Sequence, residues 1–193
     1  MKSNKLLLIV DVQNDFCAKS GKFDKIHEPI EPIKAAMPKL KLAIKKAREK
    51  GYNIIFTKSL QVFDDLPENM QERILKHNRK EEYLVPNSWG ADFFDVKPEK
   101  GEVVIDKYRY DIFTNPEFEK YLKKNKIREI LLCGFFMDIC VDSAMRTAYQ
   151  KGYYTTLLKD ATASLFFEQE KMEEFMKKFY DTNIKTVEEE FTK

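Results

Sequence analysis

Hydrophobic residues occur along the chain in two alternating patterns, as short continuous runs and as runs with helical spacing. The first continuous run, LLLIVDV, spans Leu6 to Val12 and is typical of a strand buried on both faces of a parallel sheet. From Glu31 to Lys50 the apolar positions recur in steps of three and four, which predicts one buried stripe on a helix. Gly51 follows directly and provides a stop signal for that helix.

The same alternation continues along the rest of the chain. Further strands are predicted at 53–58, 102–107, 128–134, 153–160 and 183–187, and further helices within 67–83 and at 116–126, 138–151 and 168–180. Strands that alternate with helices imply βαβ units with right-handed crossovers. The predicted fold is therefore α/β: a doubly wound, mostly parallel six-stranded sheet with helices on both faces, a three-layer α/β/α arrangement. We expect a single domain over residues 1–193.

Composition favours a protein that acts on a small molecule. The 34 basic and 32 acidic side chains almost cancel to a formal net charge of +2, which favours neither nucleic acid nor an anionic membrane surface as a partner. The apolar run at Leu6 is too short to span a bilayer. Three cysteines, Cys17, Cys133 and Cys140, do not suggest a disulfide framework, and no secretory hydrophobic segment accompanies them. We therefore expect a cytoplasmic protein.

Reactive side chains follow three of the predicted strands, at the edge where open parallel sheets bind ligands. Asp11 lies near the end of the first strand, Lys107 ends the third, and Cys140 follows the fourth. A lone buried carboxylate is costly, so Asp11 requires a cationic partner or a neutral form. Cys140 lies in the first turn of a predicted helix with Asp138 as its N-cap, so the helix dipole and Lys107 should favour a thiolate.

Each of these residues also has an ordinary structural explanation when taken singly. Asp11 could cap a turn, Lys107 could extend its amine to the surface, and Cys140 could be a buried small hydrophobe. Cys133 is interpreted as core because it lies inside a strand, whereas a redox role for Cys17 stays open. The three strand-end residues together favour a reactive thiol with an acid and a cation beside it.

Five segments of the chain also carry a resemblance to a known family: LLLIVDVQNDF, SWGADF, VVIDKYRYDIF, LLCGFFMDICVDSA and GYYTTLLKDATAS. In this order they resemble the isochorismatase-like cysteine hydrolases, which include nicotinamidases, N-carbamoylsarcosine amidase, and ureidoacrylate and biuret hydrolases. The resemblance implies a triad of Asp11 as base, Lys107 as charge stabiliser and Cys140 as nucleophile. Such a triad cleaves a C–N bond of a small carboxamide, carbamoyl or ureido substrate through a thioester. The resemblance further implies the backbone N–H groups of Phe136 and Cys140 as the oxyanion hole, and a cis peptide bond between Phe135 and Phe136.

The sequence departs from the nicotinamidases at their metal site. In those relatives an Asp-x-His segment follows the second strand, where this chain has Ser59 and Gln61. His27 and His77 are the only histidines in the sequence, and neither lies in a cluster with the spacing of metal ligands. We therefore expect an enzyme that uses neither a metal nor another cofactor.

Four aromatic residues are candidates for the walls of the substrate pocket, namely Phe16, Trp89, Tyr108 and Phe136, although each could equally be a core aromatic. Trp89 is the strongest candidate because it lies in a loop that contains a glycine. Phe136 and Met137 are bulkier than the residues that family members usually carry there, which predicts a crowded pocket lip. Relatives are commonly dimers or tetramers, so we expect a homodimer or a homotetramer.

Two other functions stay open at this stage. The bulk of Phe135, Phe136 and Met137 beside the nucleophile would suit a catalytically silent relative that binds a small molecule or another protein. A vinyl ether hydrolase of the isochorismatase type is the weaker alternative. Those relatives use the aspartate without needing a cysteine, so the presence of Cys140 argues against it.

Overall fold

A computed structural model describes residues 3–26, 28, 30–76 and 83–192 of the chain. Its strands are β1 (Lys5–Val10), β2 (Asn53–Ser59), β3 (Val103–Lys107), β4 (Glu129–Phe135), β5 (Tyr154–Ala163) and β6 (Asn183–Lys185). Its α-helices are α1 (Asn14–Cys17), α2 (Lys22–Lys25), α3 (Glu31–Glu49), α4 (Glu68–Lys76), α5 (Pro116–Lys124), α6 (Asp142–Gln150), α7 (Gln169–Tyr180) and α8 (Val187–Phe191). A π-helical turn, Met137–Val141, leads into α6. Within these ranges, no helix has both the length and the hydropathy needed to cross a membrane.

The strands found in the described residues form one parallel sheet in the order β3-β2-β1-β4-β5-β6. β1 lies at the centre, where Leu8 pairs with Ile55 of β2 on one side and with Leu132 of β4 on the other. The chain runs outward from β1 to β3 and then starts again beside β1 with β4. The boundary between β1 and β4 is therefore the switch point of a doubly wound fold. The predicted fold class is confirmed, with every strand pairing parallel.

Both faces of the sheet are covered, which explains why the central strands are continuous apolar runs. Alternate residues of β1 point to opposite sides, so Leu7 and Ile9 join one core cluster, whereas Leu6 and Leu8 join the other. The first cluster includes residues of α3 and α8, and the second includes residues of α5, α6 and α7. This is the three-layer arrangement that the sequence predicts.

Some element boundaries differ from the predicted ones. β1 ends at Val10 rather than Val12, because Asp11 has a positive φ of 49° and turns the chain out of the strand. The last strand ends at Lys185, and Thr186 then caps the unpredicted helix α8 through a capping box. Of the helix predicted within 67–83, the structure contains α4, and residues 77–82 lie outside the described part of the chain.

Candidate active site

Asp11, Lys107 and Cys140 lie together at the carboxyl edge of the sheet. Asp11 follows β1, Lys107 is the last residue of β3, and Cys140 lies in the π-helical turn after β4. The Nζ atom of Lys107 is 2.7 Å from Asp11 Oδ2 and donates a hydrogen bond of 3.4 Å to Cys140 Sγ. Three side chains from distant parts of the sequence therefore meet around one ammonium group, beside the switch point of the sheet.

The neighbouring strand holds the fully buried carboxylate of Asp11 in one orientation. The hydroxyl of Thr57, in β2, donates a hydrogen bond of 2.6 Å to Asp11 Oδ1 and accepts one of 3.1 Å from the Asp11 N–H. Oδ2 forms an ion pair of 2.7 Å with Lys107, and a carboxylate oxygen has two lone pairs. Oδ2 therefore keeps a lone pair with which it can accept a proton.

Lys107 is almost completely buried and does not extend to the surface. Its ammonium contacts Asp11 Oδ2, Cys140 Sγ and, at 3.1 Å, the backbone oxygen of Arg109. Burial by itself lowers the pKa of an amine, but the electrostatic attraction of Asp11 and Cys140 outweighs this effect and raises the pKa of Lys107. Lys107 is therefore a fixed positive charge surrounded by acceptors.

Burial and the positive charge of Lys107 act on the Cys140 thiol in opposite directions. Its side chain is only 6% exposed, and burial raises the pKa of the thiol to about 12. Lys107 acts in the opposite direction, whereas the negative charge of Asp11 raises the pKa further. Lys107 therefore favours the thiolate in the predicted direction, and burial opposes it. A nucleophile can form here by transfer of the proton to a neighbouring base.

The turn that carries Cys140 begins with two unusual backbone geometries. Gly134 has φ 98°, and a Cβ atom there would lie 2.2 Å from a carbonyl oxygen of β1, so only glycine fits at this crossing. The peptide bond between Phe135 and Phe136 is cis. The carbonyl of Phe136 accepts a hydrogen bond of 3.1 Å from the N–H of Val141. The N–H groups expected as oxyanion donors, those of Phe136 and Cys140, therefore both belong to this short turn.

Asp138 does not cap the helix as the sequence analysis predicted. It lies inside the π-helical turn, where its carboxylate accepts hydrogen bonds from the backbone N–H groups of Leu165, Phe166 and Phe167 at distances of 3.0, 2.7 and 3.1 Å. The carboxylate therefore serves the loop after β5 and not the first turn of its own helix. Asp138 thus ties that loop to the turn that carries Cys140.

Two of the four predicted pocket residues pack against each other. The ring centroids of Phe16 and Phe136 are 5.5 Å apart. Phe23, which the sequence analysis did not single out, stacks on Phe136 at 5.2 Å and contacts the Phe16 ring edge-on at 4.9 Å. Trp89 and Tyr108 are largely exposed instead, at 55% and 43%. A substrate contact for Trp89 or Tyr108 therefore stays a prediction.

Gln13 anchors the chain segment after Asp11 through side-chain hydrogen bonds to two other backbone segments. Its buried amide donates hydrogen bonds of 3.0 Å to the carbonyl oxygens of Ser59 and Ala91 and accepts one of 2.8 Å from the Ser59 N–H. Gln13, Thr57 and Phe23 are site residues to which the sequence analysis gave no role. The available signal for Gln13 and Thr57 was a polar residue at the end of an apolar run, and Phe23 gave no comparable signal.

The other cysteines lie in the core. Cys17 and Cys133 are fully buried, and burial raises the pKa of both thiols. Among residues 3–26, 28, 30–76 and 83–192, no group of three or more metal-binding side chains occurs. His27 and His77 lie outside these described residues.

Comparison with known proteins identifies the family and agrees with the fold. A family model described as the isochorismatase domain matches residues 5–184. The ureidoacrylate amidohydrolase RutB of Azorhizobium caulinodans is 28% identical over 169 residues, which cover 81% of this chain and 74% of the relative. The solved structure of an isochorismatase-like hydrolase from Alkaliphilus metalliredigens is similar with a TM-score of 0.81, 21% identity and coverage of 98% of both chains. The N-carbamoylsarcosine amidase of Thermoplasma acidophilum has a TM-score of 0.78, 22% identity and coverage of 97% of both chains.

Proposed function

Because the chain belongs to the isochorismatase family of hydrolases, we propose that it is a cysteine-dependent amidohydrolase. In this proposal it cleaves a C–N bond of a small carboxamide, carbamoyl or ureido compound. The observation that carries the proposal is the Lys107 ammonium, which lies 2.7 Å from the Asp11 carboxylate and 3.4 Å from the Cys140 thiol. Covalent hydrolysis needs a nucleophile and a base within reach of each other, and a fixed cation supports the charges that develop.

The first step of the proposed reaction is proton transfer inside the site. With a thiol pKa near 12, Cys140 scarcely ionises to water at neutral pH. Transfer to Asp11 leaves the total charge unchanged, because the carboxylate becomes neutral as the sulfur becomes negative. Lys107 contacts both groups, so its positive charge faces an anion before and after the transfer. This compensation is effective because the site is buried, where the dielectric constant is low.

The thiolate then attacks the carbonyl carbon of the substrate. A sulfur–carbon bond forms while the carbonyl π electrons move to oxygen, and the N–H groups of Phe136 and Cys140 are the proposed donors to that oxyanion. The C–N bond breaks as Asp11 gives its proton to the leaving nitrogen. Ammonia or an amine departs, and a thioester remains on Cys140. Asp11 next takes a proton from water, which attacks the thioester, and the released thiolate regains that proton.

The relatives narrow the substrate class. RutB is named for ureidoacrylate, and the Thermoplasma enzyme for N-carbamoylsarcosine. Both names describe a carbonyl group between two nitrogen atoms. Cys140 is only 6% exposed, and the ring of Phe136, which precedes its turn, packs with the rings of Phe16 and Phe23. We therefore propose a small substrate with a carbamoyl or ureido group.

Ammonia release from a panel of amides tests this function. The panel contains ureidoacrylate, an N-carbamoyl amino acid and nicotinamide, each given to the full-length protein and to Cys140→Ala and Cys140→Ser. We expect turnover of at least one compound, a loss of at least about a thousandfold in both variants, and an acylated Cys140 peptide after acid quench. Cys133→Ser is the matched control, because it changes a second buried thiol outside the site and should retain turnover. Retained turnover in folded Cys140→Ala would refute the proposal.

A catalytically silent binding protein is the second candidate, and the burial of Cys140 favours it. Only 6% of Cys140 is exposed, and Phe16, Phe23 and Phe136 occupy space near the turn. This candidate predicts that a panel amide raises the melting temperature of wild type and Cys140→Ala equally, without ammonia or an acylated peptide. Turnover by the wild-type protein excludes it.

A further inference from the structure

A single hydroxyl group, that of Thr57, makes both hydrogen bonds that fix Asp11. Thr57 is fully buried in β2, and its oxygen accepts from the Asp11 N–H at 3.1 Å and donates to Asp11 Oδ1 at 2.6 Å. A hydroxyl carries one proton, so the donor side of Thr57 is committed to Oδ1. The hydrogen bond to Oδ1 and the one from the backbone N–H therefore set the rotation of the carboxyl group, which leaves Oδ2 toward Lys107.

We propose that Thr57 is a positioning residue for the base: it holds Oδ2 of Asp11 at the Lys107 ammonium and stabilises the charged carboxylate that must accept the thiol proton. This inference rests on the proposed function, because a base is required only if Cys140 is the nucleophile. Thr57 acts through Asp11 and touches no reacting atom. A hydrogen bond to the charged form of a carboxyl group stabilises that form. In a buried site no water replaces a lost hydrogen bond, so its loss destabilises the charged form strongly.

The groups around Asp11 explain why this one hydroxyl matters. In the described part of the chain, the titratable groups that act on Asp11 are Lys107 from β3, Cys140 from the π-helical turn and Cys17 from α1. Lys107 supports the carboxylate from the Oδ2 side, and the two thiols carry no positive charge. The Oδ1 side therefore depends on the Thr57 hydroxyl for its hydrogen bond.

The pH dependence of Cys140 alkylation by iodoacetamide tests the role of Thr57. Mass spectrometry of the full-length protein measures the rate at the Cys140 peptide from acid to alkaline pH, with Cys140→Ser as the blank. Thr57→Val removes the hydroxyl but keeps the shape, so the protonated state of the Asp11–Cys140 pair should persist to higher pH. We expect the midpoint of the acid limb to rise by about one to two pH units. Thr57→Ser keeps the hydroxyl and should keep the wild-type midpoint.

A matched control removes a buried hydroxyl away from the site. Thr155, on β5, lies 2.9 Å from the hydroxyl of Thr182, and Thr155→Val should leave the midpoint unchanged. Circular dichroism and the melting temperature establish folding. If Thr57→Val does not fold, Thr57→Ala and Thr57→Ser make the same comparison. An unchanged midpoint in a folded variant without the hydroxyl, or an equal shift in Thr57→Ser, overturns the proposal.

This measurement separates the failure of the Thr57 role from the failure of the proposed function. Alkylation needs no substrate, so it reports on Thr57 even if the amide panel is not hydrolysed. Retained turnover in Cys140→Ala would refute the function whatever the alkylation profile shows. Where a panel amide is hydrolysed, kcat of Thr57→Val should fall about 10- to 100-fold with KM nearly unchanged, and Thr57→Ser should restore it. An unchanged kcat in Thr57→Val counts against the role.

Discussion

The two ends of the central sheet both hold charged side chains in contact, and they differ in how deeply the cation is buried and in whether a thiol shares it. At the amino end, Lys5 lies 3.0 Å from one oxygen of Glu129 and 2.8 Å from one oxygen of Glu190, and Lys185 lies 2.7 Å from the second oxygen of Glu190. The remaining oxygen of Glu129 accepts a hydrogen bond of 3.0 Å from Thr156. Every carboxylate oxygen of this amino-end cluster therefore has a partner.

At the carboxyl end, both oxygens of Asp11 have a partner as well. Oδ1 accepts a hydrogen bond from Thr57, and Oδ2 forms an ion pair with Lys107, the same kind of contact that Glu129 has with Lys5. The thiol of Cys140 shares the same ammonium. Ion pairing near the core therefore does not by itself indicate chemistry, because the amino-end cluster has it too. A thiol that shares a fully buried cation with a carboxylate is what distinguishes the carboxyl end.

The largest expected effect is on turnover when the acceptor at the carboxyl end is removed. Asp11→Asn keeps the size of the side chain but removes its basic oxygen, so we expect kcat for the amide that the wild type hydrolyses to fall about 10²- to 10⁴-fold. Glu129→Gln makes the same chemical change at the amino end and should leave kcat within about twofold, since it touches no part of the site. Equal losses in both variants would show that stability, and not proton transfer, explains the effect.

Removing the lysine at each end compares the two sites in stability. Lys107→Met leaves the fully buried Asp11 without its cation, so we expect the free energy of unfolding at neutral pH to fall by about 3–5 kcal/mol. Lys5→Met should cost about 1 kcal/mol, because Lys5 is partly exposed and Glu190 keeps Lys185. Urea unfolding followed by circular dichroism measures both values. Similar losses of unfolding free energy in the two variants would mean that the charge of Asp11 is compensated without Lys107.

The layers of the fold were predictable because the spacing of hydrophobic residues differs clearly between strands and helices. A continuous run such as LLLIV has no polar face, so it must lie between two helical layers, and the structure agrees. The boundary at Asp11 was not predictable, since a positive φ at an aspartate depends on the hydrogen bonds that Thr57 supplies from another strand. Helix α8 was missed because it has only five residues, although its capping box, Thr186 with Glu189, is visible in the sequence.

The location of the candidate site was predictable, but its protonation state was not. The rule that ligands bind at the carboxyl ends of strands brought Asp11, Lys107 and Cys140 together from the sequence alone. The state of the thiol depends on how completely the sulfur is buried, and burial cannot be read from a helix N-terminus. The partners of Asp138 were likewise hidden, because they lie in the loop after β5.

Two glycines, one at each end of the sheet, allow backbone strain to be separated from steric overlap. Gly134 and Gly152 have positive φ values of 98° and 85°. A Cβ atom at Gly134 would lie 2.2 Å from the oxygen and 2.6 Å from the nitrogen of Val10, whereas Gly152 has no heavy atom within 4 Å of that position. We expect Gly152→Ala to cost about 1–2 kcal/mol from the backbone alone. Gly134→Ala should cost about 2–5 kcal/mol, because overpacking adds to the strain, and equal costs in urea unfolding would show that β4 moves to make room.

The smallest expected effect is the acid sensitivity of the amino-end cluster. Burial opposes the ionisation of Glu190, but hydrogen bonds from Lys185 and Lys5 outweigh it and lower the pKa of this carboxyl group below its usual value of 4.5. A carboxyl group whose pKa is lower in the folded state adds stability that is fully present above the unfolded pKa and is lost as the pH falls through the folded pKa. The contribution of Glu190 should therefore be complete at neutral pH, and it should decrease as the pH falls below 4.5 and through the lowered pKa of the folded state.

Glu190→Gln tests this linkage when urea unfolding is compared at pH 7 and pH 3.5. The wild type should lose about 1 kcal/mol more than the variant over this interval, a modest amount because both lysines are partly exposed to water. Glu188→Gln on the same helix removes the exposed partner of Lys39 and should change the acid slope less, since salt and water screen that pair more strongly. If Glu190→Gln and the wild type lose the same free energy of unfolding between pH 7 and pH 3.5, the ionised Glu190 adds no stability to the folded state. The ion pairs of the amino-end cluster would then contribute nothing to folding.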